Sequence, residues 1–142
     1  RGFLFDGRVA EDFKLNTGTW VSTGPLRSAF LAHFVPYAKE VVIAGRDRAY
    51  VTAMVFPDVN ACRALDEAAV RAKFGELLKS FAAKSTGLST RVAAIILLDT
   101  PPSIDAHELT DKGSISQRAV LENRADVVEE LYSDSPRVIR GD

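Results

Sequence analysis

Two spacings of apolar residues alternate along the chain, and each predicts its own kind of element. Residues 13–15 and 20–21 are β-prone arms around Asn16-Thr17-Gly18-Thr19, the pattern of a tight hairpin. Gly24-Pro25 opens a helix, with Thr23 or Gly24 as its cap and Pro25 at its first position. Leu26, Phe30 and His33/Phe34 give that helix one apolar face, and Pro36 ends it. Residues 41–44 read as a buried strand stopped by Gly45, and residues 50–56 as a second strand closed by Pro57-Asp58. Their connection is too short for a crossover helix, so the pair is expected to be antiparallel. Over residues 66–84, Val70, Phe74, Leu77/Leu78 and Phe81 recur at helical spacing. Gly75 inside that helix costs about 1 kcal/mol against alanine, which predicts a local packing reason for it. Residues 92–98 are apolar throughout, as expected of a central strand covered on both sides. A polar loop over 104–116 leads to a last helix over 117–132, with Val120/Leu121, Arg124, Val127/Val128 and Leu131 on one face. The opening residues 2–7 read as a short strand and turn. Together these predict an α+β fold: a small mixed or antiparallel sheet with packed helices and an N-terminal two-stranded hairpin, without a three-layer stack.

Composition narrows the function classes. The 142 residues are 46% hydrophobic and 26% charged, ordinary globular values that exclude a disordered tail. Eighteen Lys and Arg against nineteen Asp and Glu leave a formal net charge of −1, so neither nucleic acid nor an anionic membrane is an expected partner. The longest apolar run falls far short of the ~20 residues of a membrane span. No basic segment followed by an apolar stretch opens the chain, so no signal peptide is expected and the cytoplasm is the expected compartment. Cys62 alone cannot form an internal disulfide, and with two histidines no metal-ligand spacing is present. Cys62 is expected to be buried, His33 to be a satisfied structural histidine and His107 to be solvated. Arg1 in place of Met at the start is expected of an excised piece.

Three segments carry residues that ordinary folding does not demand. In the segment 7–21, a Gly7-Arg8 turn precedes two acids and a glycine hairpin. Gly18 permits close backbone approach, and Trp20 beside it is either one wall of a narrow slot or a core residue of a solvated hairpin. In the segment 108–121, Lys112-Gly113 sits on a loop just before a helix. Such a lysine has the reach to meet phosphate or carboxylate oxygens as a compact charge, or is simply solvated. In the segment 42–48, Arg46 and Arg48 follow a buried strand, either to hold an anion or as a charged turn. Asp105 and Glu108 form a candidate carboxylate pair that a polar loop explains equally well.

In this order, the three segments resemble the small C-terminal domain of the adenylate-forming superfamily of acyl- and aryl-CoA synthetases, adenylation domains and luciferases. Gly7-Arg8 followed by Lys14, Gly18 and Trp20-Val21 resembles its hinge and hairpin motif. The strand into Gly45 and residues 51–58 resemble its central hairpin. Thr110-Asp111-Lys112-Gly113 ahead of Arg118 and Leu121 resembles its C-terminal lysine motif. Phe-Asp-Gly-Arg-Val-Ala-Glu-Asp-Phe-Lys and Thr-Asp-Lys-Gly are closest to the feruloyl-CoA synthase branch. Two departures stand out. The usual charged hinge residue falls on Ala10, and the usual Gly-Lys order is inverted to Lys112-Gly113, with Ser114 where the lysine normally stands.

The resemblance implies that residues 1–10 end a large N-terminal domain and form the hinge, and that residues 11–142 are a C-terminal lid. The parent enzyme would be an AMP-forming acid–CoA ligase using ATP and CoA on an aromatic or other carboxylic acid. Mg2+ would be bound by the N-terminal domain and no metal by this one, and the isolated piece would be inactive. Lys112 would be the catalytic residue of adenylation and Arg8 would meet the ribose or hold the hinge. Lys14, Gly18 and Trp20 would belong to the hairpin lining the pantetheine tunnel, and Arg46 and Arg48 would meet CoA phosphates. The alternative class is a non-catalytic α+β module that binds a ligand or partner on its sheet.

Overall fold

The computed structural model describes residues 12–85, 87, 90–98, 102, 107–109 and 115–140. A two-stranded antiparallel hairpin, β1 (Phe13–Lys14) and β2 (Trp20–Val21), comes first. Helix α1 (Thr23–Phe34) follows, then strands β3 (Ala38–Ala44) and β4 (Val51–Pro57). The short α2 (Val59–Cys62) and the long α3 (Glu67–Lys84) lead to β5 (Val92–Leu97). Helices α4 (Gln117–Asn123) and α5 (Ala125–Leu131) and strand β6 (Val138–Arg140) complete the order.

The four longer-range strands form one mixed sheet in the order β3-β4-β5-β6. The β3–β4 pair is antiparallel, β4–β5 parallel and β5–β6 antiparallel. Side chains alternate between the faces, as strand geometry requires. Val41, Ile43, Ala53, Val55 and Ile95 enter one core, with Phe30, Phe34, Phe74, Leu78 and Phe81 from α1 and α3. Val42, Met54, Phe56, Ala94 and Ile96 enter a second core, with Ile115, Val120 and Leu131 from the α4–α5 side. Both faces are therefore covered, which explains the unbroken apolar run of β5. It also corrects the expected layering: helices pack on both sides of the sheet, because alternate positions on each face of β3 to β5 are apolar and neither face tolerates water. In the first core the rings of Phe30 and Phe34 stack at 4.0 Å, and Phe81 meets Phe30 edge-on at 5.5 Å.

Several local expectations shift. Helix α1 begins before Gly24-Pro25 because Asp12 Oδ1 accepts the Thr23 N–H at 2.9 Å, an anchor from eleven residues upstream. Ser22 stands at the N-cap and makes no side-chain capping bond. Helix α3 starts as expected, with Asp66 accepting the Ala69 N–H. Gly75 has no crowding reason, since an added Cβ would lie 3.7 Å from Ile139 Cγ2, ordinary contact. The expected single last helix breaks at Arg124, whose backbone (φ −117°, ψ 38°) leaves helical geometry. Strand β6 and helix α2 carry no strong sequence pattern and were not expected. Cys62 is half-buried rather than buried. His33 is structural as expected, hydrogen-bonded to Ser80 Oγ at 2.6 Å and set against Phe34 and Phe81. His107 is exposed, at φ 65°. Among the described residues no helix is long and apolar enough to cross a membrane.

Candidate functional site

The hairpin is held at both ends of its turn and at its base. Leu15 N–H donates to Thr19 O and Gly18 N–H to Leu15 O, both at 2.9 Å. Asn16 N–H donates to Arg48 O at 2.8 Å, and Asp47 N–H to Lys14 O at 3.0 Å, so the β1–β2 hairpin and the β3–β4 turn brace each other. Gly18 has φ +88°, and a Cβ built there would meet nothing within 4 Å. Its glycine is demanded by backbone conformation, and the space in front of it is open to another surface. Gly45, at φ +151°, is demanded by contact as well: an added Cβ would lie 3.1 Å from Phe13 Cε1 and 3.3 Å from both Leu15 Cδ2 and Tyr50 O.

Trp20 is 61% exposed, so it is not a core residue of the hairpin. It lines a groove of about 610 Å³ together with Pro25, Ala29, Ala32, Phe81 and Lys84. Lys14 Nζ lies 5.6 Å from the Trp20 ring centroid, a cation–π contact at an exposed site. Phe13 and Val21, whose side chains face inward, tie the hairpin to the first core.

Arg46 and Arg48 border a second cleft, of about 240 Å³, floored by Phe13, Gly45, Leu121 and Val128. Arg46 is exposed. Arg48 pairs with Glu129 and lies over the Tyr132 ring, its Cζ 4.6 Å from the centroid. The structure thus brings Lys14, Gly18, Trp20, Arg46 and Arg48 to one braced pair of turns. Beside them, Tyr132 donates to Tyr50 O at 2.7 Å and accepts from Thr52 at 3.1 Å. Burial pushes its hydroxyl up to about 12, against the smaller lowering effects of the Thr52 hydrogen bond and the Arg48 charge. The Cys62 thiol is also pushed up, by burial first and by Asp58 second. Arg8, the hinge at Ala10, Asp105 and Lys112-Gly113 lie outside the described residues.

The two ends of the Lys112 segment are described. Leu109 and Ile115 form an antiparallel bridge, and Ser116 N–H donates to Glu108 O at 2.7 Å. Glu108, expected in a polar loop, is 2% exposed. It is buried because Arg124 reaches it with two donors, Nε to Oε2 and Nη2 to Oε1, each at 3.1 Å. Asn123 Nδ2 adds a longer contact at 3.4 Å. Gln117, also buried, accepts the Ile43 N–H at 2.9 Å and so covers the open edge of β3. The one sequence signal for this cluster was Arg124 on an otherwise apolar helix face, a position that needs a buried partner. Among the described residues no group of three metal-ligating side chains is present.

Residues 12–136 match the family model of the AMP-binding enzyme C-terminal domain. Three solved structures are similar over 87–89% of this chain, which spans only about a fifth of theirs. The A domain of carboxylic acid reductase from Segniliparus rugosus, in complex with AMP and a co-purified carboxylic acid, is 25% identical, with a TM-score of 0.69 over 88% of this chain and 20% of that one. The A-PCP didomain of the same reductase, in complex with AMP, is 23% identical, with a TM-score of 0.68 over 87% and 18%. The adenylation domain of the carboxylate reductase from Mycobacterium chelonae is 23% identical, with a TM-score of 0.72 over 89% and 20%. No curated protein matches.

Proposed function

We propose that this chain, which belongs to the AMP-binding enzyme C-terminal domain family, is the lid of a cytoplasmic, feruloyl-CoA synthase-like acid–CoA ligase. The parent enzyme would act in two steps. A carboxylate oxygen of the acid attacks the α-phosphorus of ATP, the bond to pyrophosphate breaks, and an acyl-adenylate forms. The CoA sulfur then attacks the acyl carbon, and AMP leaves. The first step brings two anions together, so a cation aimed at the reacting oxygens lowers its barrier most in a closed, low-dielectric site. Lys112 is assigned that role and Arg8 the ribose or hinge contact. Rotation about the hinge near Ala10 then presents the hairpin, with Lys14, Gly18 and Trp20 along the pantetheine path and Arg46 and Arg48 toward CoA phosphates. Mg2+, the acyl pocket and most ATP contacts are assigned to a large N-terminal domain.

The observation that carries this reading is that the hairpin and the ends of the lysine segment are anchored in different cores, with Arg46 and Arg48 between the hairpin and α5. The hairpin packs on the α1–α3 core through Phe13, Leu15 and Val21, and the ends of the lysine segment pack on the α4–α5 core through Ile115. Separate anchoring of the two motifs suits two half-reactions separated by a rotation.

The full-length enzyme tests it. Lys112→Ala should lower acid-dependent pyrophosphate exchange by ~10²–10³ and still convert supplied acyl-adenylate and CoA to acyl-CoA. Gly18→Leu should do the reverse. Equal loss of both half-reactions in either variant would overturn the two-motif assignment. The structural neighbours favour one other reading, an adenylation domain of a carboxylic acid reductase. Acid-dependent formation of a CoA thioester supports the ligase, and adenylation with no thioester on free CoA supports the reductase.

A further inference from the structure

Glu108 and Arg124 stand out among the titratable groups because the lid reading gives them no task. Glu108 is 2% exposed, and its carboxylate meets the planar fork of Arg124 through both oxygens. The Arg124 guanidinium also lies over the Phe56 ring, its Cζ 5.3 Å from the centroid, so its orientation is set from two directions. Its backbone is the break between α4 and α5. At the other end of the pair, Glu108 O accepts the Ser116 N–H, and the next residues, Leu109 and Ile115, form the bridge that closes the neck. Ser116 in turn caps α4 through Ala119 N–H, and Gln117 fastens the helix start to β3. Glu108, Ser116 and Gln117, at the two ends of segment 110–114, are therefore each tied to a rigid element, and the ion pair is the tie that reaches across to the helix break.

A buried ion pair is a poor way to gain stability, since well-packed apolar residues of similar volume serve as well or better. It is a good way to hold one orientation, because a bidentate fork fixes both distance and plane. We propose that Glu108 and Arg124 are positioning residues for adenylation: they lock the Leu109–Ile115 neck in the orientation from which Lys112 acts. This inference rests on the assignment of Lys112 to adenylation made above. Neither residue touches the reacting atoms in it. They act through the neck.

The test uses the full-length enzyme and three variants beside Lys112→Ala. Arg124→Lys keeps the charge and loses the fork. Glu108→Gln keeps the shape and loses the charge. Glu108→Leu with Arg124→Met replaces the pair by apolar side chains, which keeps the fold without the orientation. Misplacement of a reacting group by an ångström costs on the order of 100-fold in rate. Each variant should show a kcat for acid-dependent pyrophosphate exchange lowered by about that factor, with KM for acid and ATP little changed. Conversion of supplied acyl-adenylate and CoA should remain. The Leu/Met variant should also melt close to the parent. Normal exchange in a folded Leu/Met variant would overturn the proposal. So would parallel loss of melting temperature and of both half-reactions in Arg124→Lys, which marks a merely structural pair. If Lys112→Ala adenylates normally while the pair variants do not, the Lys112 assignment fails instead, and the two failures are distinguishable.

Discussion

Gly45 and Gly18 are both at positive φ, yet the structure predicts different costs for the same change. At Gly45 an alanine Cβ would sit 3.1 Å from Phe13 Cε1, 3.3 Å from Leu15 Cδ2 and 3.3 Å from Tyr50 O. Two of these neighbours are buried side chains of the hairpin and the third is backbone, so relief requires the hairpin to move away from the sheet. A strained backbone position costs of order 1–3 kcal/mol, and overpacking a filled site typically adds 1–3 kcal/mol. Gly45→Ala should therefore cost about 2–6 kcal/mol. At Gly18 the added methyl meets open space, and only the left-handed conformation is penalised, by roughly 1–2 kcal/mol. Urea unfolding of the 142-residue chain measures the difference. With a slope of about 2 kcal/mol per molar, the middle of the usual range, Gly45→Ala should lower the midpoint by roughly 1–3 M and Gly18→Ala by roughly 0.5–1 M. Gly18→Asn should lose less than Gly18→Ala, because asparagine tolerates left-handed φ. Equal midpoints for Gly45→Ala and Gly18→Ala would refute the contact argument and leave φ as the whole effect.

Two further expectations follow from single positions. Gly75→Ala should raise stability by about 0.5–1 kcal/mol, since the methyl finds ordinary contact with Ile139 and the helix gains propensity; a lower melting temperature would mean that the α3–β6 packing is tighter than 3.7 Å indicates. Tyr132 carries a hydroxyl raised from 10 to about 12, chiefly by burial, so the fold favours its neutral form. Its contribution is complete below about pH 10 and is lost as pH rises through 12, because the unfolded chain releases that proton first. Between those pH values the parent should lose stability more steeply than Tyr132→Phe, and identical slopes would show that Tyr132 does not titrate with the fold.

Local patterning determined most of the elements of this protein. The helical recurrence of Phe74, Leu78 and Phe81 set α3, with Asp66 as its cap. The hairpin arms and the interior place of β5 followed from the Asn-x-Gly turn and from an apolar run that suits only a covered strand. Covalent neighbours suffice for such features, since propensity, capping and period are properties of adjacent residues. Features that depend on a partner arriving from elsewhere in the chain were decided by the tertiary structure. The start of α1 moved because Asp12 caps it across the hairpin. The β4–β5 pair is parallel because α3 returns the chain to the same end of the sheet, and three residues after Pro136 become β6 only by pairing with β5. Trp20 is exposed because Phe13, Leu15 and Val21 already fill the space beneath the hairpin. Glu108 is buried, and the last helix broken, because a guanidinium sixteen residues away makes both favourable at once. A charge tolerates burial only with its partner in place, and no local pattern records where that partner will stand.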